Sequence, residues 1–386
     1  MIYLDYAANT PVDDRVLNDF VNATKKYIAN PNSNHAIGIE ARREIEKCSI
    51  DIANYFKCSG DGIIYTSGSS ESNNLVIKGI ASMYKDKGKH IIISSLEHSS
   101  IVAPCNYLVS LGYDVSVVSL DNDGKVNLEE LKTKMTSETI LVSICTVDSE
   151  LGTIQPISEI AKIVKKYPNC IFHTDATQAI GKTNIDFKDV DFVTFAPHKF
   201  YGLNGFGCLV NRHNIKITPL IHGGKSTTFY RSGTPVTANV VALRTAFNLV
   251  TQDLGKNEKY IQKLNKILRD ELSNYSCVHI NSPKDAIVNT LNISLIGIDN
   301  LKVIEELEKK GIYLSTTTAC SIGNMPSKSV LAMTGREDLA SNTIRISMSH
   351  LTSLKDISVF LEEFAKVVKK FNIWNILLKK AHFTCA

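Results

Sequence analysis

The stretch FHTDATQAIGKTNIDFKDVDFVTFAPHKFYGLNG, Phe172–Gly205, decides how this chain is read. Phe172–Thr174 is a short apolar strand that ends on Asp175, and Asp191–Phe195 is a second that ends just before Pro197, His198 and Lys199. Acidic, amide, imidazole and amine groups therefore follow the carboxyl ends of two strands, where an open α/β sheet places its ligand chemistry. An aldehyde cofactor such as pyridoxal phosphate needs a lysine for a Schiff base. It also needs a carboxylate to keep its pyridine nitrogen protonated, so that the ring can act as an electron sink. Lys199 and Asp175 can fill those two places. Taken singly, a lysine is more often solvated and an aspartate more often a helix cap. The assignment therefore leans on finding the rest of a site.

Working toward the N-terminus, Ile63–Thr66 is a buried strand running into SGSSESNN, Ser67–Asn74, and then a helix with Val76, Ile80 and Met83 on one face. A strand, a Gly/Ser turn and a helix start make an anion site from backbone N–H groups, hydroxyls and the positive helix end. Gly68, Ser69 and Ser70 are the candidate phosphate cradle, although serine capping with Glu71 in the first turn explains the same residues. The Walker spacing is absent, which disfavours a nucleoside triphosphate. Strands follow at Ile91–Ser94, Asp114–Leu120 and Ile140–Thr146, with helices at Leu128–Met135 and Ile157–Lys166 and a loop at Val147–Pro156. This alternation predicts a mostly parallel sheet covered on both faces. His98, in LEHSS after the first of these strands, is either a plain helix-end residue or a ring that stacks on a flat ligand. Further back, LDYAANTP (Leu4–Pro11) reads as a short strand or extended arm. Two helices, Asp14–Ile28 and Ile37–Phe56, flank the polar loop ANPNSNHAIG.

Toward the C-terminus come a strand at Phe206–Val210, a glycine-containing loop at His222–Pro235, and a helical region from Val236 to Asn274 broken near Gly255. A boundary near residue 250 separates a large domain, residues 13–250, from a smaller α+β domain made of residues 1–12 and 251–386. In the latter, strands are expected at Val278–Asn281, Thr290–Leu295, Ile312–Ser315 and Ile344–Ser347, and helices at Asn300–Lys310 and Leu354–Lys370. The loop TTTACSIGNMPS, Thr316–Ser327, holds Cys320. Most cysteines are buried and inert, but one in a hydroxyl-rich loop can be exposed, as nucleophilic chemistry requires. Arg345, in TIRIS, suits bidentate binding of a carboxylate beside a cleft, or else a surface ion pair.

Composition narrows the field. With 44% hydrophobic and 21% charged residues in 386, the chain can bury a large core. A net charge of +4 is too small to argue for nucleic acid or a membrane surface as partner. No apolar run reaches transmembrane length, no secretory signal is expected, and the reading is cytoplasmic. The nine cysteines are odd in number and form no CxxC, so neither a disulfide framework nor a metal site is expected.

LDYAANTP, NPNSNH, TSGSSESNN, LEHSS, ELGTIQP, HTDATQAIGK, PHKFYG, RSGTP, TTTAC and TIRIS fall in the order seen in cysteine desulfurases of the NifS/IscS type. The chain resembles that family from Leu4 to about Ser347. The resemblance implies a pyridoxal 5'-phosphate enzyme of fold type I, an α/β protein with a seven-stranded sheet, that converts L-cysteine to L-alanine. It implies that Lys199 carries the cofactor, Asp175 pairs with the pyridine nitrogen, and Gln178 bonds the phenolic oxygen. His98 would stack on the ring, while Ser70 and His198, with backbone at Gly68 and Ser69, would hold the phosphate. Thr234 would reach the phosphate of the partner subunit in a homodimer. Arg345 and Asn34 would bind substrate, and Cys320 would take the sulfur as a persulfide and pass it to an acceptor protein. Three places depart from the family pattern: DSE stands for NNE, putting Ser149 where an asparagine contacts the cofactor; Ala196 stands for a serine; and Lys225–Thr228 replace a glycine and QER. Those departures keep open a selenocysteine lyase or other β-lyase, and a non-catalytic paralogue.

Overall fold

The computed structural model describes residues 1–224, 226, 228–316 and 325–383, with side chains as far as Phe371. Its twelve strands are β1 (Ile2–Tyr3), β2 (Ile63–Thr66), β3 (His90–Ser94), β4 (Asp114–Val118), β5 (Thr139–Ser143), β6 (Ile171–Asp175), β7 (Phe192–Phe195), β8 (Gly207–Asn211), β9 (Val278–Ile280), β10 (Thr290–Leu295), β11 (Ile312–Tyr313) and β12 (Thr343–Ser347).

Seven of them form one sheet in the order β2-β8-β7-β6-β5-β3-β4. The central pairs are parallel, and β8 runs antiparallel to both of its neighbours. Alternation along the strands divides their side chains between two cores. Ile92, Val142, Phe172, Val193 and Val210 pack on one face, and Ile91, Leu141, Ile171, Phe192 and Leu209 pack on the other. Both faces being covered is why these strands read as unbroken apolar runs. The helix Ser69–Tyr84 lies on the second face, with Leu75, Val76, Ile77 and Ile80 buried. Met83, expected on that buried face, is 43% exposed. Tyr84, the next and last residue of the helix, packs against that core instead.

A second core gathers Leu4, Ile261, Leu264, Leu268 and Leu291 with Ile344, Ile346, Phe360 and Phe364. It surrounds the antiparallel sheet β12-β10-β9. Val250 packs into the large core, and the helical region breaks at Asp253 between Thr237–Gln252 and Leu254–Leu272. Of the two readings of Leu4–Pro11, short strand or extended arm, the second holds: the strand is at Ile2–Tyr3, and Leu4 joins this second core. β1 pairs in parallel with β11, and Ser347 N donates to Leu4 O at 2.7 Å. Two helices, Lys328–Thr334 and Glu337–Ala340, were not expected. The last helix runs from Leu354 to Phe383, well past Lys370.

Candidate active site

Asp175 is the last residue of β6, and Lys199 lies in a short 3-10 turn, Pro197–Lys199, just after β7. Side by side in the sheet, the two strands deliver both groups to one edge. A cavity of about 180 Å³ opens there. Its lining includes Ser69, Ser70, His98, Ser149, Asp175, Gln178, His198, Lys199 and Arg345. Residues from β6, the turn after β7, two helix starts and the small sheet thus meet in one place.

Each functional group is held by neighbours. Asp175 Oδ2 accepts from Asn73 Nδ2 at 2.8 Å, and Oδ1 accepts from Thr177 N at 2.9 Å. Asn73 Nδ2 also donates to Ser100 Oγ at 2.9 Å, and Ser100 Oγ lies 2.8 Å from His98 Nδ1. His98 caps its helix, with Nδ1 accepting from Ser100 N at 3.1 Å. Nδ1 is therefore an acceptor, and the proton of the neutral ring belongs on Nε2. Burial lowers the His98 pKa, with Asp175 pulling it up and Lys199 down. The ring is neutral at physiological pH. His198 is likewise neutral, pushed down to about 4 by burial and by the nearby Lys199 and Lys182.

Lys199 Nζ donates to Ala7 O at 2.9 Å and also to Ala8 O. Gln178 Nε2 donates to the same Ala7 carbonyl at 3.0 Å, and its Oε1 accepts from Lys182. Lys182 is buried, and burial first, then Lys199 and Arg345, push its amine down to about 7. Its donation fixes which way the Gln178 amide faces. Behind His98, Glu97 is fully enclosed. Its Oε1 accepts from Ser94 Oγ at 2.5 Å and Cys145 N at 2.9 Å. Burial, with Asp175 and Asp148 adding repulsion, pushes its carboxyl up to about 8.

Arg345 is 1% exposed. It donates from Nη1 to Ser149 O at 3.0 Å and from Nη2 to Asp5 Oδ1 at 2.8 Å. The main-chain carbonyl of Ser149, which any residue could supply, makes the contact, so losing the asparagine side chain there leaves this bond intact. Loop 147–153 is braced from the other side: Asp148 Oδ1 accepts from Ser329 Oγ at 2.9 Å, and Glu150 accepts from Ser327 Oγ. Glu150 is pushed up to about 7, by burial first and then by Asp148.

The cradle expectation has a backbone basis. Thr66 pairs with Gly207 across β2 and β8. A Cβ on Gly207 would lie 2.5 Å from the Gly68 carbonyl carbon, so only glycine lets the turn sit this close. The helix start then leaves its first N–H groups at Ser69 and Ser70, both on the cavity wall.

Not every expected residue arrives. Asn34 is exposed, in the loop before helix Ala36–Phe56, and is not on the cavity wall. Thr234 lines a separate groove with Ser226, Arg231 and Asn239. Cys320 lies outside the described residues, as do Lys225 and Thr227. The sequence reading missed Asp5, Ala7, Ala8, Asn73 and Glu97, which act through contacts far apart in the chain, and Lys182, whose contact with Gln178 is local but buried.

The lining fits pyridoxal phosphate. It offers an amine, a carboxylate anchored on both oxygens, a neutral imidazole and an anion-binding helix start. Among the described residues, two of its buried polar atoms, Thr177 Oγ1 and Arg345 Nε, have no partner. Lys199 and Arg345 bring two cationic side chains to its wall, as a ligand with phosphate and carboxylate groups requires.

Comparison with known proteins agrees with this geometry. The aminotransferase class-V family matches residues 2–360. A cysteine desulfurase IscS of Dictyoglomus turgidum is 35% identical over 374 residues, covering 96% of this chain and 95% of that protein. A solved NifS-like protein superposes with a TM-score of 0.89 at 33% identity, covering 95% of this chain and 99% of the other. A structure described as SspA in complex with cysteine gives a TM-score of 0.80 at 30% identity, covering 92% and 100%. From the fold, the strand-end site and these relatives together, the chain belongs to the class-V aminotransferase family.

Proposed function

We propose that this protein is a pyridoxal phosphate-dependent cysteine desulfurase, converting L-cysteine to L-alanine and passing the sulfur to an enzyme cysteine. The observation that carries this reading is the meeting of Lys199, Asp175, His98 and Arg345 on one cavity. Pyridoxal phosphate, when bound, supplies an aldehyde that captures amines and a ring that accepts the electron pair released at the substrate Cα. The remaining steps belong to the chain. Lys199 would hold the cofactor through its amine, and the same amine would take the Cα proton. Asp175, fixed by Asn73 and Thr177, keeps its charge aimed at the pyridine nitrogen. Gln178 would present its remaining amide N–H to the phenolic oxygen, because Lys182 occupies its Oε1 and the Ala7 carbonyl takes the other N–H. His98, neutral, offers Nε2–H. Ser69, Ser70 and His198 hold the phosphate, and Arg345 holds the substrate carboxylate. Cys320, as thiolate, attacks the substrate sulfur; the C–S bond breaks, an S–S bond forms, and the carbon regains a proton to leave as alanine.

The reading extends to a homodimer in which Thr234 reaches the partner's phosphate site. It extends also to a cytoplasmic protein that hands sulfur to a scaffold or sulfurtransferase for iron–sulfur cluster, thio-cofactor or tRNA synthesis. Among the described residues no helix is long and apolar enough to cross a membrane.

The test is alanine release from L-cysteine, with mass spectrometry of the protein afterwards. Wild type should carry an extra sulfur on the peptide containing Cys320. Cys320→Ser should keep the cofactor and make little alanine, and Lys199→Ala should lose covalent cofactor after borohydride reduction. Normal turnover by the serine variant, or the cofactor on Lys182, would refute the assignment.

A further inference from the structure

Arg345 is not a bare cation waiting for an anion. Its Nη2 already holds Asp5 Oδ1 at 2.8 Å, in a pair whose arginine is 1% and aspartate 17% exposed. The aspartate cannot swing away cheaply. Its second oxygen accepts from Ser315 Oγ at 3.1 Å, and its backbone carbonyl accepts from the Tyr3 hydroxyl at 3.0 Å. Its backbone also bridges to Ser347, two residues along β12 from Arg345 itself. Arg345 is equally fixed, exchanging backbone bonds with Ser315, one of them 2.7 Å from Arg345 N to Ser315 O. Acid and base are thus clamped to the same strand. The guanidinium still has donors to give, since among the described residues Nε has no partner and the residue lines the cavity.

We propose that Asp5 is a resident counter-charge that sets how tightly Arg345 grips a substrate carboxylate, and so tunes substrate and product affinity. This rests on reading Arg345 as the carboxylate site. A second carboxylate on the same guanidinium lies within several ångströms of Asp5, and the two anions repel in a region of reduced dielectric. Asp5 therefore weakens the hold on any amino acid's carboxylate. It keeps the guanidinium oriented meanwhile, which is a specificity role and not a proton-transfer role. The gain for turnover is release: alanine carries the same carboxylate as cysteine, and a grip that cannot let go would stall the enzyme.

Asp5→Asn isolates the charge, because the amide oxygen can still accept from Arg345 and the hydroxyl of Ser315 can still pair with the amide. Calorimetric titration of the holoenzyme with L-alanine should show tighter binding, on the order of tenfold, and a steeper loss of affinity with added salt. L-Alaninamide, which lacks the carboxylate, should bind wild type and variant alike. In turnover, KM for cysteine should fall. If Asp5→Asn folds poorly, Asp5→Ser removes the charge by a second route and should show the same contrast. Unchanged or weaker alanine binding, or equal tightening for alaninamide, overturns the proposal. Arg345→Met reports on the underlying reading separately: if it leaves alanine affinity intact, the carboxylate is bound elsewhere.

Discussion

At the level of single residues, the site combines groups held in a chosen protonation state with groups held in a chosen direction. Glu97 illustrates the first. Its carboxyl is buried beside Asp175 and Asp148 and pushed from 4.5 up to about 8. A carboxyl raised on folding binds its proton in the folded chain over a pH range in which the unfolded chain has lost it. The associated stability is complete below about pH 4.5 and is lost as pH rises to about 8. Glu97→Gln keeps the acceptor that Ser94 and Cys145 use and removes the proton. Urea unfolding should therefore show wild type losing stability relative to the variant by about 1.4 kcal/mol for each pH unit within that window. Parallel profiles would mean that Glu97 is ionised in the folded protein. The candidate site residues Asp175, Lys199, His98 and the serines, which line one cavity, were legible in the sequence because each follows a recognisable strand or turn. Their supports were not. Asp5 and Arg345 are separated by 340 residues, and Asn73 and Asp175 by 102. No local spacing marks such pairs, and only the folded chain brings them together.

At the level of elements, the parallel strands were readable because burial on both faces demands continuous apolar runs. β2 and β10 fall where the sequence placed them, at Ile63–Thr66 and Thr290–Leu295. The helices Lys328–Thr334 and Glu337–Ala340 escaped because they are one or two turns long and lie in a polar stretch. Such helices are stabilised by tertiary contacts and not by their own periodicity. Here Val330, Leu339 and Ala340 pack with Leu151 in a small cluster of their own. The turn between β2 and its helix was legible as an anion site, and a strand was expected at Phe206–Val210, close to the observed Gly207–Asn211, but the pairing that brings Gly207 against the turn was not legible. Gly207→Ala tests that dependence. The added methyl would meet Gly68 backbone at 2.5 Å, and backbone cannot step aside as a side chain can. The expected cost is about 1–3 kcal/mol in urea unfolding. Cofactor affinity should fall with it, because the turn carrying Ser69 and Ser70 must move. Loss of stability with unchanged affinity would show that the turn does not hold the phosphate.

At the scale of the whole molecule, the two cores are stitched together by a short arm. Leu4 is fully buried in the second core, while Ala7 and Ala8, three and four residues on, supply the carbonyls that receive Lys199 in the first. Ala7 N in turn donates to Ser347 Oγ at 2.9 Å. The expected pairing of residues 1–12 with the C-terminal part came from sequence order within a resemblance, whereas the arm's reach to the lysine needed coordinates. Leu4→Ala should cost about 2–5 kcal/mol through the cavity it leaves. It should also speed cofactor loss on dialysis, measured by visible absorbance, although Leu4 is not part of the cavity wall. Lower stability with full cofactor retention would separate the arm from the site. The same connection sets an order of events during synthesis. Residues 1–8 leave the ribosome long before Ser347, so the arm must wait, undocked, while the 340 residues that separate Ala7 from Ser347 are made. Until the last strand emerges, the lysine has no seat, and a nascent chain that already contains Asp175 and Lys199 still cannot capture its cofactor in the finished geometry.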